Sequence, residues 1–185
     1  DMYQNIINRL FFTLLAFLPL SIIIGPAASL LNILIFDIFF VILIITKKNF
    51  DWIKAPIIKI LLILYLYLIF NSFISLEPSS GLLRNLGFIR LIIFFIGLNY
   101  FLKDNKFHKI FYFWSIIIII TTFDVFFERI YGFNILGFAS ENQRRIVSFF
   151  IDELIVGGYI YAFTFILAGF YFDKYKNEKQ IFKSC

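Results

Sequence analysis

The sequence predicts an all-α, polytopic integral membrane protein with about six transmembrane helices and both termini on the cytoplasmic side. Three observations predict it. Hydrophobic residues make up 61% of the chain and charged residues only 16%, against about 25% charged in a typical soluble domain. A water-soluble fold of this length leaves too much surface exposed to hide 28 phenylalanines along with its Ile and Leu. The apolar residues fall in runs close to the roughly 20 residues that a bilayer-spanning helix needs. The lysines, finally, cluster in the short polar segments of one side.

Six runs qualify as spans. The first covers residues 6–24, with Arg9 at its start, Pro19 inside it as a predicted kink, and Gly25-Pro26 as its stop. It reads as a start-transfer anchor rather than a cleaved signal, since five further spans follow it. The second covers 30–46 and carries Asp37 near its middle. Pro56 opens the third, 56–76, at a position where its missing N–H is harmless, and Lys59 sits near enough to its start to snorkel outward. Glu77-Pro78-Ser79-Ser80-Gly81 is a turn by composition. The fourth span, 82–102, holds Arg84 and Arg90 in its first half, and the fifth, 110–127, ends near Asp124. A more polar outer loop, 128–153, leads to the uncharged sixth span, 154–172, and a charged tail. No repeat stands out, and the whole chain, 1–185, reads as one membrane domain.

Orientation follows from charge. With the N-terminus inside, the inner segments are 1–9, 47–54, 103–109 and the C-terminal tail. All eleven lysines then lie inside or at an inner helix end, as the positive-inside bias requires. The formal net charge of +5 thus belongs to membrane topology and not to nucleic-acid binding. Five of the six arginines do the opposite: Arg84, Arg90, Arg129, Arg144 and Arg145 fall on the outer side or in the outer half of a span. Arginine grips phosphate and carboxylate with a planar fork of donors. Arginines set against the topological bias therefore point to an anionic ligand at the outer face, with a lipid-linked phosphate or pyrophosphate at the right depth.

The stretch from Arg144 to Gly158 concentrates this chemistry. Arg144 and Arg145 are candidate anion ligands, or else a loop charge pair balanced by Glu141, Asp152 and Glu153. Asp152-Glu153 opens the sixth span, where an acid caps free N–H groups and suits the helix dipole. Of the two, Glu153 is the candidate base and Asp152 the candidate cap. Gly157-Gly158 would admit a close neighbour. Inside the membrane, Arg90 faces either a ligand or an ion-pair partner, Asp37 or Asp124, because a charge at mid-span costs roughly 2.5–3.5 kcal/mol. Cys185 and His108 are the only residues of their kinds. They offer no disulfide or zinc spacing, and His108 reads as an ordinary surface residue. No metal or cofactor motif is present in the sequence.

Arg145-x2-Ser148-x-Phe150-x-Asp152-Glu153-Leu154-Ile155-Val156-Gly157 resembles the outer-loop signature of bacterial O-antigen polymerase and O-antigen ligase-like membrane proteins. Tyr131-Gly132-Phe133-Asn134-Ile135-Leu136-Gly137-Phe138, and the arginine-bearing start of the fourth span, Leu83 to Arg90, are similar to further parts of that family. Ser148 and Ile151 stand where the family often has glycine. The family is longer, so the chain, which starts at Asp1 rather than Met, resembles its N-terminal half and is expected to be incomplete. The resemblance implies metal-independent glycosyl transfer at the periplasmic face of the bacterial inner membrane. The donor would be an undecaprenyl-pyrophosphate-linked glycan. The acceptor would be a second such glycan or lipid A-core. Arg145, with Arg144, Arg90 and Arg84, would bind the pyrophosphate, and Asp152 or Glu153 would orient an arginine or activate the acceptor hydroxyl. Two alternatives stay open on residues alone: a transporter or flippase fragment using Asp37, Arg90 and Asp124, and a non-catalytic membrane subunit.

Overall fold

The computed structural model describes residues 2–48, 55–75, 78–138, 146–150 and 155–184. Among them every regular element is helical: α1 (Met2–Ala16), α2 (Leu18–Ile24), α3 (Pro26–Lys47), α4 (Pro56–Ile74), α5 (Pro78–Leu86), α6 (Ile89–Leu102), α7 (Lys109–Tyr131) and α8 (Val156–Ser184). Five helical segments are long and apolar enough to cross a membrane, and six if the bent pair α1–α2 is one span. The helices group into two compact units. The first comprises Asp1–Ala28 and His108–Cys185, and the second Ser29–Phe107.

In the first unit, the proline of the first span acts as its chemistry demands. α1 and α2 meet at a 46° bend, with Phe17 between them and Pro19 in the first turn of α2. Pro19 has no N–H to give the carbonyl four residues back, which is that of Leu15. The indole of Trp114 on α7 supplies the missing donor, with Trp114 Nε1 bonded to Leu15 O at 2.9 Å. Tyr159 of α8 donates to Pro19 O at 3.3 Å. The kink is thus bonded to two other helices. α7 and α8 pack through Phe111 on Phe170 (4.2 Å between centroids) and Trp114 on Phe163 (5.2 Å). Ser115 and Tyr171 share a 2.9 Å hydroxyl contact, and Lys174 donates to Tyr112 at 2.7 Å. His108 is half-buried with its ring on Phe111 and Phe170, a packing position rather than the surface one expected.

In the second unit, α3 lays Phe36 and Phe40 against α6. Phe36 meets Phe94 and Phe101, and Phe40 meets Tyr100 and Phe101, at 5.0–6.2 Å. Gly97 makes this approach possible: a Cβ there would sit 2.5 Å from Phe36 Cε1. α4 begins on Pro56 as predicted. The fourth span is not one regular helix. α5 ends at Leu86, and tight i,i+3 bonds (Phe88 N to Asn85 O, Leu91 N to Phe88 O) carry the backbone into α6, which starts at Ile89. Large apolar side chains such as Ile63, Leu66 and Phe70 of α4 are more than half exposed, as lipid-facing positions are.

Four boundaries differ from expectation. α5 starts on Pro78, so residues 78–81, expected as part of a turn, are helical. α3 starts on Pro26, which opens that helix as well as closing the one before. α7 runs on to Tyr131, so Glu128 belongs to the fifth helix and not to the loop. The segment expected to be a solvated tail continues α8, with Asp173–Lys176 exposed on it.

Candidate functional site

The end of α7 and the loop after it are joined by buried acids. Asp124 and Glu128 lie four residues apart, on one face of α7, and both are almost wholly buried. α7 stops at Gly132, whose left-handed φ of +80° lets its N–H reach back to Glu128 O at 2.8 Å. Asn134 then folds the chain on itself. Its Oδ1 accepts from the N–H groups of Leu136 (3.1 Å) and Phe138 (2.8 Å), while its own N–H donates to Phe138 O (2.8 Å). This is the local side-chain turn for which asparagine is suited.

The returning strand of loop is clasped by the same groups. Glu128 Oε1 accepts from Val147 N at 3.2 Å, and Oε2 from Ser148 N at 2.5 Å. Asp124 Oδ1 accepts from Ile135 N at 2.7 Å, and Oδ2 from Ser148 Oγ at 2.5 Å. Asn134 Nδ2 donates to Ser148 O at 2.8 Å. Ser148 is therefore held at its N–H, hydroxyl and carbonyl together. Its φ of +52° is a left-handed conformation that suits glycine and is uncommon for other residues. No buried side-chain oxygen or nitrogen of the clasp is without a hydrogen-bond partner, which is the condition under which a buried polar network rigidifies a site. Phe150 finishes the arrangement by packing its ring on Tyr159 of α8 at 5.1 Å.

The clasp fixes residue 138 on one side and residues 147–148 on the other. Arg144 and Arg145 lie in the segment between these anchors, outside the described residues, as do Asp152 and Glu153 just beyond Phe150. The arginine pair of the predicted signature is thus bracketed by one hydrogen-bonded network, and the acid pair follows beyond it. Reading the sequence by residue type missed Glu128, Asn134 and Ser148 as partners. The available signal was the i,i+4 acid pair at the end of an apolar helix, followed by glycine and asparagine.

No protein-family model matches this chain, and no curated protein or solved structure matches it either.

Arg84, Arg90 and Asp37 lie in the second unit. Arg84 is exposed and lines a polar pocket of about 620 Å³ between the end of α4 and α5, with Asn71, Ser75, Ser80 and Asn85. Arg90, half-buried on α6, is not part of that lining; the two arginines do not share the pocket. Arg90 is the charged neighbour of Asp37, but Asp37 is buried with neither carboxyl oxygen hydrogen-bonded. The expected Arg90–Asp37 pair is an electrostatic neighbourhood rather than a hydrogen-bonded bridge. Asp124 is committed to the clasp. Among the described residues, nothing lies within 4 Å of where a Cβ would stand at Gly157 or Gly158. Among the described residues no cluster of His, Cys, Asp or Glu has the makings of a metal site.

Proposed function

We propose that this chain is part of a membrane glycosyl-transfer protein of the O-antigen polymerase or ligase type. It takes a glycan from an undecaprenyl-pyrophosphate carrier at the periplasmic face, with both termini of the present chain in the cytoplasm. The observation that carries the reading is the clasp. Asp124 and Glu128 fix both ends of a short segment bearing Arg144 and Arg145, at the end of a membrane-length helix. A second support is Ser148, which takes a left-handed backbone at the place where the resembling family often has glycine.

In this reading Arg144 and Arg145 meet the pyrophosphate. Negative charge builds on that group as the glycosyl bond breaks, and donors already in position stabilise the transition state without reorganising. Arg90 is a further cation candidate for the same charge. Glu153 takes the acceptor hydroxyl's proton, and Asp152 caps the N-terminus of the sixth span. The clasp residues touch no substrate; their role is to hold the loop. Undecaprenyl pyrophosphate-linked glycans are the donor, a second lipid-linked glycan or lipid A-core the acceptor, and no metal takes part.

The transporter reading uses Asp37 and Arg90 instead, and one comparison separates the two. In cells dependent on the full-length protein, Arg145→Ala abolishes the ladder of long-chain polysaccharide while Asp37→Asn leaves it intact. Loss with Asp37→Asn and retention with Arg145→Ala would overturn the proposal.

A further inference from the structure

The pocket of Arg84 has a chemistry of its own. Its floor is built: Asn85 Nδ2 donates to Leu68 O (3.0 Å) and Ser72 Oγ (2.7 Å), Ser72 Oγ donates to Leu68 O (2.9 Å), and Ser75 Oγ to Ser72 O (3.1 Å). Ser72 is buried at the centre of this lattice, which pins α5 onto α4. Above the floor, the described lining holds one cation, Arg84, neutral Ser and Asn side chains, and no acid. That is the electrostatic profile of a site for a singly charged anion with hydroxyl or ester oxygens. A guanidinium binds phosphate oxygens through paired N–H donors.

The surroundings say what carries the anion. The pocket lies at the end of a membrane-length helix. Ile74 and Leu83, beside it, are more than 60% exposed. Below it on α4, in line with Asn71 at helical spacing, Tyr67, Leu64 and Ile60 are exposed too. From residue 60 to residue 71 a helix rises about 16 Å, about half of the roughly 30 Å hydrocarbon thickness. A polar, cationic mouth above one leaflet's depth of exposed apolar side chains matches one amphiphile: head in the pocket, chain along the helix.

We propose that the α4–α5 pocket binds the headgroup of an anionic bilayer phospholipid, its phosphodiester on Arg84 and one acyl chain along the exposed face of α4. The one cation of the described lining matches a phosphodiester's one negative charge; a pyrophosphate carries at least two. This site goes beyond the glycosyl-transfer reading and stands whether or not that reading does.

The test is native mass spectrometry of the purified protein in neutral detergent, with phosphatidylglycerol, phosphatidylcholine or undecaprenyl pyrophosphate added at equal concentrations. The expected result is one retained phosphatidylglycerol, preferred about tenfold over phosphatidylcholine. Arg84→Gln removes the preference, and Arg84→Lys, which keeps the charge without the fork, retains part of it. Asn71→Leu lowers retention with the charge intact. Equal retention of the two phospholipids, or a preference untouched by Arg84→Gln, overturns the proposal. Stronger retention of undecaprenyl pyrophosphate also overturns it and assigns the pocket to the donor instead. Because Arg84 is exposed, its substitution leaves packing unchanged, and matching thermal unfolding curves verify this.

Discussion

Replacing Ser148 tests the clasp through a reversal of the usual order of alanine and glycine. Ser148→Ala removes the hydroxyl that bonds Asp124 and leaves Asp124 Oδ2 buried without its donor. A hydrogen bond to a charged group contributes about 1.5–3 kcal/mol, and the orphaned acceptor keeps its desolvation cost. Alanine also retains the left-handed backbone at φ +52°, which costs an L-residue roughly 1–2 kcal/mol. Ser148→Gly loses the same hydrogen bond but escapes that backbone cost, with about 0.5–1 kcal/mol returned through the greater freedom of the unfolded chain. Glycine is then the milder change by up to about 1 kcal/mol, or roughly 2–4 °C per kcal/mol in a chain of this length. Thermal unfolding of the three proteins in one detergent measures it. The predicted order of stability is serine, glycine, alanine. Alanine equal to or above glycine would refute the left-handed clasp at residue 148.

Gly97→Ala puts a methyl group 2.5 Å from Phe36 Cε1 and 3.2 Å from Phe40 Cγ, where neighbouring rings block Phe36 from moving away. Overpacking of this kind costs about 1–3 kcal/mol, read as a lower unfolding temperature. Trp114→Phe keeps the aromatic packing but strips Leu15 O of the donor that replaces the proline's missing N–H; it destabilises by about 1–3 kcal/mol, and combining it with Pro19→Ala, which restores a backbone donor, recovers part of the loss. For topology, with Cys185 first changed to Ser, Asp51→Cys and Ser140→Cys are labelled by an impermeant maleimide from opposite faces of the membrane, Ser140→Cys from the periplasmic one. Labelling of both from one face contradicts the six-span arrangement.

Hydropathy made the spans legible because helices in lipid are uniformly apolar, and boundary prolines marked starts well: Pro56 opens α4, and Pro19 bends the first span. Polar residues misled where they are satisfied inside the protein. Glu128 reads as the exit from the membrane, yet it stays in α7 because two backbone N–H groups of a distant loop neutralise the cost of burying it. No local pattern announces a partner nineteen or twenty residues away. Ser148 likewise reads as a small loop residue, and its left-handed backbone is set by three simultaneous hydrogen bonds rather than by its own preference. In the tail, charge suppresses the hydropathy signal but not helix formation, so α8 outruns the predicted span. The two arginines of the fourth span are near in sequence, and the irregular turn between α5 and α6 sends only Arg84 to the polar pocket.

The most direct test is the affinity of the purified full-length protein for undecaprenyl pyrophosphate, wild type against Arg144→Ala and Arg145→Ala. Hydrogen bonds to a charged group predict a loss of about tenfold or more for Arg145→Ala, with a comparable loss when the clasp is broken by Asp124→Ala. Unchanged affinity in the arginine variants would contradict pyrophosphate binding by the clasped loop.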